Sequence, residues 1–169
     1  MTTSAVSSDH VVDRRDRTRQ VAVLVGSLLA VVGAFLGSGA LGGTPIAEAA
    51  GGALSADATH LAPGSPAFSI WSVIYTGLVA GSVWQVLPAQ RRDPRQRRLG
   101  WLVLASMVLN AVWIGVVQAG ALALSVVVIV ALLVTLAAVL VRMRECPPSG
   151  RVERLVVDGT LGLYLGWVS

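Results

Sequence analysis

Asn110 lies in the middle of an apolar run, with Ser106 one turn before it and Trp113 almost one turn after. A buried amide costs free energy unless it is hydrogen-bonded. It therefore either bonds a neighbouring helix, worth about 1 kcal/mol in membrane bundles, or supplies the directional contact of a ligand pocket. Taken alone, Asn110 favours the first. Asp158 stands in the first turn of the last apolar run, where an acidic residue usually caps a helix or complements its dipole. A proton-coupled role is its sharper alternative, because carboxylates at membrane depth are commonly functional. His60 is a lone histidine in a Gly/Ala/Pro-rich stretch and is expected to be solvated surface. No nucleophile is paired with a base, no glycine loop is built for phosphate, and no metal-ligand spacing occurs. Catalytic and metal-ligating residues are accordingly expected to be none, no cofactor is required, and an enzyme is not the favoured reading.

These residues must be held by helices in lipid. Of 169 residues, 54% are hydrophobic and 13% charged, and mean hydropathy is +0.73. A soluble fold of this size would expose too much apolar surface. The single cysteine, Cys146, rules out an intrachain disulfide or a cysteine zinc site; beside Arg144 and Glu145 it is a loop thiol, with palmitoylation a weak option. The pI near 10.6 does not point to nucleic acid: lysine is absent, every arginine flanks an apolar run, and aromatic stacking residues are scarce.

A helix crossing about 30 Å of hydrocarbon needs about 20 apolar residues. Val21–Leu41, Phe68–Leu87, Leu99–Val117 and Ala121–Val141 meet that requirement, and a fifth span begins near Leu155 and runs to Ser169. Fifteen residues cover only about 22 Å, so the fifth helix is expected to be incomplete and the protein truncated at its C-terminus. The fold class is thus all-α, a polytopic transmembrane bundle: residues 1–19 form a polar, disordered cytoplasmic tail and 20–169 one bundle domain. Arg14, Arg15, Arg17 and Arg19 precede the first span; Arg91, Arg92, Arg95, Arg97 and Arg98 separate the second and third; Arg142, Arg144, Arg151 and Arg154 separate the fourth and fifth. The loops Gly42–Ala67 and Gln118–Gly120 contain none. By the positive-inside rule the N-terminus is cytoplasmic and the long first loop external, in the inner or plasma membrane of a cell. A signal peptide cleaved after Ala47-Glu48-Ala49 is the lesser alternative, since the apolar run exceeds a signal core of about 7–15 residues.

The three-residue turn at Gln118 makes the third and fourth spans antiparallel neighbours. Gly33-x3-Gly37 and Gly77-x3-Gly81 are expected to allow close helix contact. The first loop is long enough to act as a lid. Depth separates the aromatic residues into two groups. Trp71 and Tyr75 lie about 5 and 10 Å below the outer edge, Trp113 and Asn110 about 7 and 12 Å, and Tyr164 and Trp167 about 16 and 12 Å. Trp84 and Trp101 sit beside the arginines and are expected to form an interfacial belt. A ligand site built from Trp71, Tyr75, Asn110, Trp113, Tyr164 and Trp167 would lie beneath the first loop.

The same residues carry a family resemblance. Phe68-Ser-Ile-Trp71-Ser-Val-Ile-Tyr75 resembles the start of the second helix in the tryptophan-rich sensory protein family (TspO, translocator protein or peripheral benzodiazepine receptor). Leu109-Asn110-Ala-Val-Trp113 is similar to its third-helix LNxxW motif, and Tyr164-Leu-Gly-Trp167-Val-Ser169 to its fifth-helix YLxWVS motif. The resemblance covers Pro66 to Ser169 with a compatible first span, and looks most like the divergent, longer bacterial members. It implies a five-helix bundle, commonly a homodimer, with a pocket for a tetrapyrrole such as haem or protoporphyrin, or for a sterol-like ligand. By motif position Trp71, Asn110, Trp113, Tyr164 and Trp167 would line that pocket. Family members usually carry a further tryptophan shortly before the position of Trp71, where this sequence has Pro63-Gly-Ser-Pro66-Ala; that departure tells against tryptophan-dependent porphyrin degradation.

Three functions follow. A membrane receptor or carrier for a planar hydrophobic ligand leads, with the bilayer and that ligand as partners. A small-solute permease is second and would call for intramembrane charge or broken helices; Asp158 alone answers to that. A porphyrin-degrading membrane enzyme is third.

Overall fold

The computed structural model describes residues 3–37, 48–52, 55 and 65–169. His60, Ala47 of the cleavage-like site and most of the first loop lie outside them. Five long helical segments account for the bundle: α1 (Thr3–Gly37), α2 (Ile70–Val86), α3 (Pro94–Gln118), α4 (Leu122–Glu145) and α5, residues 151–168. The last is composite. Arg151–Glu153 and Thr160–Val168 are α-helical, and the six residues Arg154–Gly159 between them form a π-turn. A four-residue helix, Ala49–Gly52, lies against α3. Among the described residues there is no strand.

Four helices, spanning Asp13–Gly37, Ala67–Val86, Pro94–Gln118 and Leu122–Glu145, are long and apolar enough to cross a membrane. Their outer faces carry the side chains that a soluble protein would hide: Val21, Leu28, Leu29, Val32 and Phe35 on α1, and Val126, Val127, Val130 and Val134 on α4, all exposed.

Helix α1 departs from expectation. Its helical backbone begins at Thr3, so the polar segment expected to be disordered continues the first span for several turns. At 1.5 Å per residue its 35 residues run about 52 Å, well beyond the hydrocarbon thickness. Local contacts support the extension: Asp13 pairs with Arg17 at 3.2 Å in the i,i+4 register, and the Thr18 hydroxyl donates to the Arg14 carbonyl. Helix α3 likewise starts earlier than its apolar run. Asp93 caps it, accepting from the amides of Arg95 and Gln96 at 2.7 and 3.0 Å, with Pro94 in the first turn.

Helix packing follows a closed order. α1 lies between α2 and α3, α3 against α4, α4 against α5, and α5 returns to α2. The tight turn at Gly120, whose φ is +73°, makes α3 and α4 the antiparallel pair expected. Ile74, Leu78, Leu99, Met107, Leu132, Leu136 and Tyr164 form the shared core. Polar residues stitch α1 to α2: Ser27 and Ser82 share a hydroxyl hydrogen bond at 2.7 Å, and the Gln20 amide donates to the Gln85 carbonyl.

The glycine pairs divide. Gly77 faces the Thr160 side chain and Gly81 faces Val156 and Val157, so this pair sets the α2–α5 approach. Gly37 faces Ile114 on α3, whereas a Cβ at Gly33 would meet nothing within 4 Å among the described residues. A side chain at 77 has no room, because its Cβ would collide with Thr160. Gly77→Val is expected to lower stability by about 1–3 kcal/mol, and Gly33→Val to change it little. Unfolding in mixed detergent micelles measures both; equal effects would mean the α2–α5 approach is not tight.

Candidate functional site: an aromatic cluster between α2, α3 and α5

Successive helical turns set the first side of the cluster. Phe68, in the 3-10 turn Ser65–Ser69, precedes Trp71 by one turn, and Tyr75 follows Trp71 by another, so the three share a face. Trp71 stacks on Tyr75 with ring centroids 5.3 Å apart and planes at 23°. Tyr164 and Trp167, three apart on α5, supply the second side. Trp71 meets Tyr164 edge-on at 5.8 Å and Trp167 edge-on at 6.4 Å, and Phe68 meets Trp167 edge-on at 5.6 Å. Edge and offset contacts of this kind are the preferred arrangement of quadrupolar rings. Trp71 touches three of the other four rings and is the hub.

Helix α3 supplies the polar floor. Asn110 is buried, and its Nδ2 donates to the Tyr75 hydroxyl at 2.8 Å. The interhelical hydrogen bond is therefore present, while Asn110 Oδ1 is buried without a partner among the described residues. Because Tyr75 accepts through its oxygen, its own hydroxyl proton is free to be donated. One acceptor and one donor thus stand side by side within an aromatic wall. Tyr164, fully buried, donates its hydroxyl to the Ser106 carbonyl at 3.2 Å and anchors α5 to α3.

Five of the six expected residues, Trp71, Tyr75, Asn110, Tyr164 and Trp167, come together through these contacts. Trp113 is half-buried on α3 and makes no ring contact with the cluster among the described residues. Phe68 is a member that sequence reasoning misses, although its spacing of three from Trp71 carries the signal. Trp101 is exposed, but Trp84 packs against the core with its indole N–H buried and unpartnered. A separate cavity of about 30 Å³, room for a water molecule, lies deeper toward the arginine end between Ser82, Gln85, Gln96, Leu99 and Thr160.

That end of the bundle holds an ionic network that spacing does not reveal. Arg95 is buried, and its Nη1 donates to Glu153 Oε1 at 2.9 Å, its Nη2 to Asp158, and its Nε to the Cys146 carbonyl at 2.7 Å. Gln96 also donates to Glu153 Oε1, at 2.9 Å. The amide and hydroxyl of Ser149 donate to Glu153 Oε2 at 2.8 and 2.7 Å. Burial alone would push the Glu153 carboxyl up, but the Ser149 bonds and the Arg95 guanidinium outweigh it and hold the group below the ordinary glutamate range.

Asp158 is therefore not a helix cap: it lies within the helix and pairs with Arg95. The π-turn explains how two carboxylates reach one guanidinium. In a regular helix, residues five apart point about 140° away from each other at 100° per residue. A π-turn brings them to nearly one side. Among the described residues no group of histidine, cysteine and acidic side chains could hold a metal ion.

Comparison with curated proteins and with solved structures finds no match. The family model described as TSPO-like protein matches residues 22–169. That stretch takes in the apolar part of α1, all four following helices and every residue of the aromatic cluster. The chain is a multi-pass membrane protein, and it belongs to the TSPO-like protein family.

Proposed function

We propose that the protein is a membrane receptor or carrier for a planar hydrophobic ligand, a tetrapyrrole or a sterol-like molecule, held against the aromatic cluster. The observation that carries this reading is Asn110 Oδ1, buried and unpartnered beside the Tyr75 hydroxyl and the Trp71 hub. Leaving a buried carbonyl unmet costs about 1–3 kcal/mol, and a ligand N–H or O–H would recover it. The flat rings provide apolar contact, and the Asn–Tyr pair orients the ligand, as a few placed polar groups do in largely apolar pockets. The 30 Å³ cavity is far below the roughly 300–1,000 Å³ typical of small-molecule sites, too small to seat such a ligand. Titrating the detergent-purified protein with a panel of porphyrins, read by their visible absorption, tests the reading. A saturable one-to-one shift supports it; purely linear partitioning, identical in Asn110→Leu, sinks it. A permease is less favoured, because Asp158 is already paired with Arg95.

The arginine-rich end, with the N-terminus, faces the cytoplasm of a cell whose inner or plasma membrane holds the protein. The complete segregation of arginine to alternate loops, all at one end of the bundle, supports this orientation. In a Cys146→Ser background, Ala121→Cys in the α3–α4 turn is expected to label with an impermeant thiol reagent in intact cells, and Arg92→Cys is not. Both positions are exposed on the bundle. The opposite pattern inverts the topology.

A further inference from the structure

A second site lies outside the bundle interior, at the arginine-rich end. Arg15, Asp16 and Arg19 of α1 and Arg97 and Trp101 of α3 line a cleft of about 280 Å³. Its charges do not cancel. Arg97 engages both oxygens of Asp16, with Nε donating to Oδ1 at 2.8 Å and Nη2 to Oδ2. That pair is neutral, which leaves two guanidinium groups uncompensated. Arg15 is exposed, with no ion-pair partner among the described residues.

Arg19 is the unusual one. It is 2% exposed, its Nη2 donates to the Arg91 carbonyl at 2.9 Å, and its Nε and Nη1 are buried without a partner among the described residues. Guanidinium is always charged and carries five N–H donors, so burying it with most of them unmet is costly. The two carboxylates that act on it, Asp16 and Asp93, are engaged elsewhere, by Arg97 and by the first amides of α3. Among the described residues no acceptor is left for these N–H groups.

The cleft's position says what kind of acceptor would suit them. Arg19 stands two residues before the lipid-facing run that begins at Val21, and Trp101 presents an indole that is 51% exposed at the start of the apolar part of α3. An exposed indole at that level marks the boundary between hydrocarbon and head groups. We propose that this cleft binds a phosphate anion in the form of an anionic phospholipid head group, with Arg19 as its floor, Arg15 as its outer clamp and Trp101 against the acyl tail. Arginine forks match phosphate oxygens in geometry and in charge, and cationic clusters next to membrane helices attract anionic lipid.

Intact-complex mass spectrometry of the protein in detergent micelles tests this. Phosphatidylglycerol is expected to be retained one-to-one, and phosphatidylcholine is not. Arg15→Gln, at an exposed position where folding is not at stake, is expected to weaken retention about fivefold. Arg19→Gln should weaken it further, with helical content checked by circular dichroism. Arg144→Gln, an exposed arginine at the same end but outside the cleft, is expected to leave retention unchanged. An equal loss from Arg144→Gln and Arg15→Gln would mean diffuse surface attraction and would overturn the site. Equal retention of phosphatidylcholine would do the same. Displacement of the lipid by inorganic phosphate at matching concentrations would assign the cleft to a soluble anion and overturn the lipid assignment.

Discussion

Glu153→Ala is expected to destabilise the protein by about 3–5 kcal/mol, the usual cost of removing one partner from a buried ion pair. Glu153 is 1% exposed and serves four donors: Arg95, Gln96 and both the amide and hydroxyl of Ser149. Its loss strands Arg95 and frees the loop that leads into α5. Unfolding in micelles of increasing sodium dodecyl sulfate content measures the effect. A double variant, Arg95→Met with Glu153→Met, should recover part of the loss, because no uncompensated charge remains. The pH dependence has a fixed sign. The folded-state pKa of Glu153 is depressed, so its contribution is complete above the unfolded value, about 4.3, and is lost as the pH falls through the folded value. Acid destabilisation below that range should shrink in Glu153→Gln. A loss under about 1 kcal/mol for Glu153→Ala would show that the network does not hold α5 in place.

Trp71→Ala is expected to weaken porphyrin binding by about 2 kcal/mol, roughly thirtyfold, as truncation of an aromatic anchor covered by its ligand does. The reason is its position as hub, in contact with Tyr75, Tyr164 and Trp167 together. Asn110→Leu should cost about tenfold, the loss of one hydrogen bond donated by the ligand to a buried acceptor. Trp113→Ala should cost less than Trp71→Ala, since Trp113 stands apart from the ring contacts. Trp101→Ala, at the opposite end of the bundle, should leave porphyrin affinity unchanged. Equal affinities for wild type and Trp71→Ala, with helical content intact, would leave the cluster as packing alone.

What the sequence reveals and what it hides follow one physical division. The spans, the antiparallel α3–α4 pair and the arginine segregation are properties of runs: a stretch of Val, Leu and Ala must meet lipid, whatever its neighbours do. The cluster is partly legible for the same reason, since helical spacing alone puts Trp71 and Tyr75 on one face and Tyr164 and Trp167 on another. Which ring meets which depends on how α2 and α5 cross, and that is decided by Gly77 against Thr160, distant in sequence. Arg95 reads as one more interfacial cation among five in its loop; nothing local marks it as the one that turns inward. Its choice needs Glu153 and Asp158, and their convergence needs a π-turn, which no residue pattern at 154–159 announces. The helical N-terminal segment escapes sequence reasoning because polar composition suggests disorder, whereas the Asp13–Arg17 pair and the Asp16–Arg97 contact give it local and tertiary support.

Arg95 also carries information about the order of assembly. Every partner of its guanidinium, the Cys146 carbonyl, Glu153 and Asp158, is translated after it. Until residues 146–158 are made, Arg95 lacks these three partners. Only when residues 146–158 have emerged does it become an internal ligand. Synthesis proceeds from the N-terminus, so a nascent four-helix intermediate holds α3 with this charge unmet, and α5 arrives as the piece that neutralises it. The residue left unmet in the early chain is the same one that latches the later one, and ring closure between α5 and α2 is coupled to the moment at which α5 is made.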